Sequence, residues 1–153
     1  MINRKMNFRL TLFTILILSL ALSACGGGDD GGDPTKPVKD FFEGLADMDA
    51  EKAAKAVCEE HRKDTEVGLD MLLGFLALAG DDAKIEISGL ELKAEDKSDD
   101  EAMIVATGGT MKMVIGGEVQ EETELGGEEA IKVVKEDGEW YVCDESLLGD
   151  FAP

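Results

Sequence analysis

Polar and apolar positions alternate along this chain with two different periods, and the change of period divides it. Behind Pro34 and Pro37, Val38, Phe41, Phe42, Leu45 and Met48 fall at the i, i+3, i+4, i+7 spacing of an amphipathic helix. Asp47-Met48-Asp49 interrupts that stripe, and Asp49 can cap a second helix. There Ala50, Ala53, Ala54, Val57, Cys58 and His61 share one face, small enough for a neighbour to approach closely and with Cys58 turned inward. A third helix is expected from about Thr65 to Ala79, capped by Asp64. It is apolar nearly all round, so it is expected to be buried on most sides or to cover something apolar. From Lys84 the period becomes two, the mark of strands. Ile85 and Ile87 take one parity and Leu90, Leu92 and Ala94 the other, which places a β-bulge at Ser88-Gly89. Ala102 to Ala106 is apolar on both faces and continues past Gly108-Gly109 into Met111, Met113 and Ile115. Gly116-Gly117 and Asp137-Gly138 are tight-turn signals. Between them Val119, Thr123 and Leu125 face one way, with Glu118, Gln120, Glu122 and Glu124 toward water. Helices followed by an antiparallel meander give an α+β fold, its sheet free to curl round the helices.

The N-terminal stretch obeys neither period. Arg4, Lys5 and Arg9 precede an apolar run from Leu10 to Leu22, and Leu22-Ser23-Ala24-Cys25 follows. The run is 13 residues, short of the roughly 20 that a spanning helix needs. A basic start, a short apolar core and small residues before a cleavage point describe a secretory signal. The four residues ending in Cys25 closely resemble the lipobox of bacterial lipoproteins. That resemblance implies cleavage between Ala24 and Cys25 and a diacylglycerol on the Cys25 thiol. The expected organisation is a signal over 1–24, a Gly/Asp-rich tether over 25–33 and one domain over 34–153. The chain would then be exported and anchored in a bilayer, on the outer face of a plasma membrane or, in a diderm, in an outer membrane facing the periplasm. Glycine at position 26 lacks the aspartate that retains lipoproteins in the inner membrane.

Charge narrows the partners. The chain holds 15 Lys and Arg against 34 Asp and Glu. Without the signal's three cations, 12 basic residues face the same 34 acidic ones, a formal −22. Such a surface repels phosphate backbones and excludes nucleic acid as a partner. It also repels anionic headgroups, so membrane attachment would need the covalent lipid. Solubility or adaptation to a salty medium is the plain account of the acidity itself.

With Cys25 given to lipid, Cys58 and Cys143 remain, and an exported chain with two residual cysteines is expected to bridge them. Two inert buried thiols are the alternative. No Cys-Xaa-Xaa-Cys redox spacing occurs, so a bridge would be structural.

The segment Phe41-Phe42-Glu43-Gly44-Leu45-Ala46-Asp47-Met48-Asp49 and the closing Val133-Val134-Lys135-Glu136-Asp137-Gly138-Glu139-Trp140-Tyr141-Val142-Cys143 resemble the small exported lipoproteins of the nuclear transport factor 2-like superfamily. The likeness covers roughly 35–146, with the final hairpin its most specific part. It implies a cone-shaped half-barrel whose sheet wraps a long helix and leaves a pocket at its open end. It does not fix a function, because that superfamily hosts enzymes, ligand binders and interaction modules.

Its catalytic members, steroid isomerases and dehydratases, combine Asp, Tyr or His inside the cone. Tyr141 is therefore a candidate pocket hydroxyl, with a buried tyrosine bonded to backbone as the plain alternative. Trp140, Met103, Met111 and Phe75 complete the candidate pocket, and Met71 and Met113 could extend an adaptable apolar lining. His61, the single histidine, suits a general base by its pKa, but it is read here at a helix end where a cation is favourable. No catalytic set is assigned. One histidine and no spare cysteine pair give no zinc spacing. The carboxylates at Asp96, Asp99, Asp100 and Glu101 lack the glycine and bidentate glutamate of a calcium loop. No cofactor is expected. The reading is a membrane-anchored envelope lipoprotein, a non-catalytic module that binds a protein or a small apolar ligand. A small isomerase, dehydratase or hydrolase and a structural spacer are the alternatives.

Overall fold

Lys36–Ala46 form the first helix, α1, with Pro37 in its first turn, where a missing N–H costs nothing. The structure, a computed structural model, describes residues 32–149 apart from 81 and 128. The signal over 1–24, Cys25 and most of the tether lie outside the described residues. Just before α1, the Asp33 carboxylate accepts from the Thr35 amide (2.9 Å) and hydroxyl (2.8 Å), and these bonds hold its pKa below the usual value. Val38, Phe41, Phe42 and Leu45 are buried, as the stripe predicts.

The second helix, α2 (Ala50–Lys55), is capped by Asp49, whose side chain accepts from the Lys52 amide at 2.9 Å. It stops earlier than its apolar stripe suggested. Val57 leaves the helix to form a parallel bridge with Val142. The Cys58 amide donates to the Val142 carbonyl (2.9 Å), and the Val142 amide donates to the Ala56 carbonyl (2.8 Å). Val57, Cys58 and His61 are therefore not a continuation of α2. Cys58 instead stands at the N-cap position of α3 (Glu59–Ala79) without a side-chain capping bond, and this helix begins well before the expected Thr65 and carries Asp64 inside it. His61 thus stands in an N-terminal turn, where the helix dipole disfavours a cation, contrary to the expectation.

Five strands follow: β1 (Lys84–Glu95), β2 (Glu101–Ile115), β3 (Glu118–Glu124), β4 (Ala130–Glu136) and β5 (Glu139–Val142). Every pairing is antiparallel, in the order β1-β2-β4-β5, with β3 also on β2. The sheet is not the simple meander expected. β1 occupies one edge of β2 along its length, and β3 and β4 share the other. The chain leaving β3 runs back along the middle of β2, with Leu125 donating to the Gly109 carbonyl (2.9 Å) and Gly127 to that of Ala106 (3.2 Å). A short helix, α4 (Glu145–Gly149), closes the described chain.

The register between β1 and β2 shifts between Ser88 and Glu91, where the bulge was expected. Opposite it Gly109 sits at φ 137°, and a Cβ there would stand 3.0 Å from the Leu90 Cα. Only glycine suits both the dihedral and the approach. This joint bend changes the inward parity of β2. Ala102 and Ile104 are buried in the core before it, and Met111, Met113 and Ile115 pack against that core after it. Phe41, Leu69, Ile104, Val133 and Val142, all fully buried, form the centre between helices and sheet. Among the described residues no helix is long and apolar enough to cross a membrane.

Candidate functional site

The curl of the sheet leaves a half-open pocket between α1, α3 and the strands β1 to β3, with a volume of about 110 Å³. Leu45 comes from α1, Leu72 and Leu76 from α3, and Ile85 from β1. Met111 and Met113 rise from β2 beyond the bend, and Glu121 and Thr123 from β3 form the opposite wall. The strand register explains the pairing, since Met111 faces Thr123 and Met113 faces Glu121 across the ladder. Apart from Glu121 and Thr123 this lining is apolar. The pocket is smaller than a dry cavity of about 150 Å³ that accepts benzene, so it encloses roughly four to five heavy atoms and a longer ligand extends through its open side.

Of the residues expected here from sequence, Met111 lines the pocket, and Met113 joins it. The other candidates lie elsewhere. Met103 precedes the bend, so its parity sends it to the outer face of the sheet, beside Lys132. Trp140 is buried in the core, with the Lys135 ammonium 5.7 Å from its ring centroid. Tyr141, one residue on, faces outward. Its hydroxyl donates to the Glu139 carboxylate (2.9 Å), and the Arg62 guanidinium lies 5.4 Å over its ring. That hydrogen bond, with some desolvation, raises the tyrosine's pKa, the wrong direction for a base. Phe75 is 66% exposed on α3, in line with exposed Val67, Met71 and Leu78. The expectation that α3 is covered on most sides therefore fails along that line. Ala24 and Cys25 fall outside the described residues.

A second, wider concavity of about 500 Å³ opens on the outer face, lined by His61, Met103, Lys132, Val134, Cys143 and Asp144 among others. It holds the single histidine and a buried carboxylate, the usual ingredients of acid–base work. The carboxylate is already engaged. One Asp144 oxygen accepts from the Lys132 amide (2.8 Å), and the other from the Ser146 hydroxyl and the amides of Ser146 (2.9 Å) and Leu147 (3.2 Å). Burial pushes the Asp144 pKa up, but these bonds outweigh it and hold the group below the usual carboxylate range. Asp144 starts α4 and ties it to β4.

At the edge of this cleft Cys58 and Cys143 are joined, with Cα atoms 5.4 Å apart across 85 residues of sequence. Glu136 has an oxygen within 4.8 Å of both sulfurs, but thiolate ligands are not on offer while the sulfurs are bonded to each other. In the acidic turn, Ser98 exchanges hydrogen bonds with Glu101, and the Glu101 carboxylate pairs with Lys132 at 2.9 Å.

The arrangement of helices on a curled antiparallel sheet is shared with a solved structure. The crystal structure of a scytalone dehydratase-like protein from Novosphingobium aromaticivorans superposes with a TM-score of 0.51 over 71% of this chain and 76% of its own, at 17% identity. The fold is the nuclear transport factor 2-like cone. No protein-family model and no curated protein matches the chain. At that identity the likeness concerns the architecture of the cone, and what the neighbour's description says of dehydration belongs to the neighbour.

Glu121 was missed in the sequence. It lies between Val119 and Thr123 in the same parity as both, a carboxylate on the side read as inward. That misplaced charge was the available signal.

Proposed function

We propose that this chain is a lipid-tethered module of the cell envelope whose cone binds a small apolar ligand without transforming it. The observation that carries the reading is the division of polar groups between the two faces of the sheet. The pocket presents Leu45, Leu72, Leu76, Ile85, Met111 and Met113 with Glu121 and Thr123 as its polar lining. His61 and Tyr141 stand outside it. A dehydratase or isomerase needs an acid and a base within reach of one substrate, and Glu121 is one carboxylate with no titratable partner in that lining. The neighbour's description favours the enzymatic alternative at the level of the fold alone.

The tether half of the reading rests on Leu22-Ser23-Ala24-Cys25 and the Gly/Asp stretch that runs up to α1. Acyl chains on Cys25 would supply the anchoring, at about 0.8 kcal/mol per buried methylene. The glycine-rich segment would let the cone sample the space around its anchor.

Methionine methyl NMR tests the pocket directly. In the full chain held in phosphatidylcholine nanodiscs, 1-hexanol is expected to shift the Met111 and Met113 methyl signals saturably and leave Met103 in place. Unmoved signals would refute binding, and turnover in a screen of dehydratable alcohols would favour the enzyme. For the tether, Cys25→Ser is expected to abolish palmitate labelling and membrane fractionation. Retention of both would remove it.

A further inference from the structure

We propose that the pocket selects amphiphiles with a cationic head, an alkylammonium above all, and that Glu121 is their counter-ion. This rests on the reading of the pocket as a binding site and adds the chemistry of what it prefers. Leu72, Leu76, Ile85, Met111 and Met113 make an apolar well, and the two thioethers let it adapt to an alkyl chain. Glu121 stands at its β3 wall, directly across the ladder from Met113. Cross-strand partners keep their Cβ atoms about 5 Å apart, so a chain seated on Met113 brings its head group to this carboxylate.

Glu121 has no ion pair among the described residues. The cation nearest along β2, Lys112, is engaged by Glu122 at 3.3 Å, on the opposite parity of the strand. The wall therefore carries an unpaired, water-exposed negative charge beside an apolar well. The field around it has the same sign, from Glu118, Glu122 and Glu124 on the same strand and from the chain's net −19. Such a field concentrates cations and turns away fatty carboxylates.

The test compares hexylamine, 1-hexanol and hexanoate, matched in chain length, on the full chain in neutral phosphatidylcholine nanodiscs, read at the Met111 and Met113 methyl signals. Hexylamine is expected to bind about fivefold more tightly than hexanol, the upper end for an exposed ion pair, and hexanoate more weakly than hexanol. Glu121→Gln is expected to abolish the preference, so that hexylamine and hexanol bind alike. Glu118→Gln, on the same strand and outside the pocket lining, is expected to keep the preference. Raising the salt should shrink it. Equal binding of all three ligands overturns the selectivity and leaves the apolar site standing. A preference that survives Glu121→Gln overturns the counter-ion. If none of the three moves the Met111 and Met113 signals, both the selectivity and the binding site fall.

Discussion

Two glycines in helices should answer the same substitution with opposite signs. Alanine is the better helix former by about 0.8–1 kcal/mol, so Gly→Ala in an unobstructed helix interior stabilises. Gly74 is such a place: a Cβ built there meets nothing within 4 Å. Gly44 in α1 is the opposite. Its Cβ would lie 2.4 Å from the Ala53 amide nitrogen, 2.6 Å from its Cα and 2.7 Å from its Cβ. Atoms in contact want roughly 3.5–4.0 Å, so α2 would have to retreat by about 1 Å. It has nowhere to go, because Ala53 is fully buried and Val57 pins the far end of α2 to Val142. Overpacking costs about 1–3 kcal/mol and sometimes more, and a clash below 3.0 Å with backbone atoms falls in its upper half, about 2–3 kcal/mol. With the helix gain subtracted, Gly44→Ala should lose about 1–2 kcal/mol while Gly74→Ala gains nearly 1. At roughly 3–5 °C per kcal/mol for a domain of this size, the two melting temperatures should differ by about 6–15 °C. Urea unfolding followed by circular dichroism, with the disulfide intact, measures both. A Gly44→Ala variant at or above the parent's midpoint, with an unchanged slope, would refute the close approach of α1 and α2.

Two further predictions concern the covalent and electrostatic ties of the sheet. Opening Cys58–Cys143, which spans 85 residues, should cost up to about 4.5 kcal/mol by loop closure. The Cys58→Ala/Cys143→Ala double variant measures it in urea, and a loss under about 1 kcal/mol would show that the bridge is incidental. Asp144 has a folded pKa below its unfolded one, so its contribution is complete above the ordinary carboxylate range of about 3.9 and is lost as pH falls through the lower folded value. Asp144→Ala should cost about 1–2 kcal/mol at neutral pH by orphaning the amides it accepts from, and should flatten the acid limb of stability against pH. An unchanged limb would mean that Asp144 titrates alike folded and unfolded.

The first helix, its Asp49-capped successor, the bulge at Ser88-Gly89 and both tight turns were legible because local chemistry decides them. The start of α3 was not. Glu59 to Asp64 carry no apolar stripe, and the helix begins there because Val57 is held by Val142 and Cys58 by Cys143, contacts remote in sequence. The pocket was half legible for a related reason. Met103 to Ala106 are apolar on both faces, so alternation alone could not say which parity looks inward, and the bend at Gly109 then exchanges the two. Met111 fell on the right side of that bend and Met103 on the wrong one. Phe75 misled because a helix apolar all round offers no sign of which line of side chains the neighbours leave bare.

The third strand touches the rest of the sheet through β2 alone, and its seven residues are all exposed. Mutations there disturb little packing, and surface changes of that kind typically stay within about ±0.5 kcal/mol. Yet this strand supplies both polar residues of the pocket. The cone thereby keeps its discriminating groups on its least committed segment. Descendants of this chain could exchange one guest for another by rewriting β3 while the helices and the long strand stay untouched.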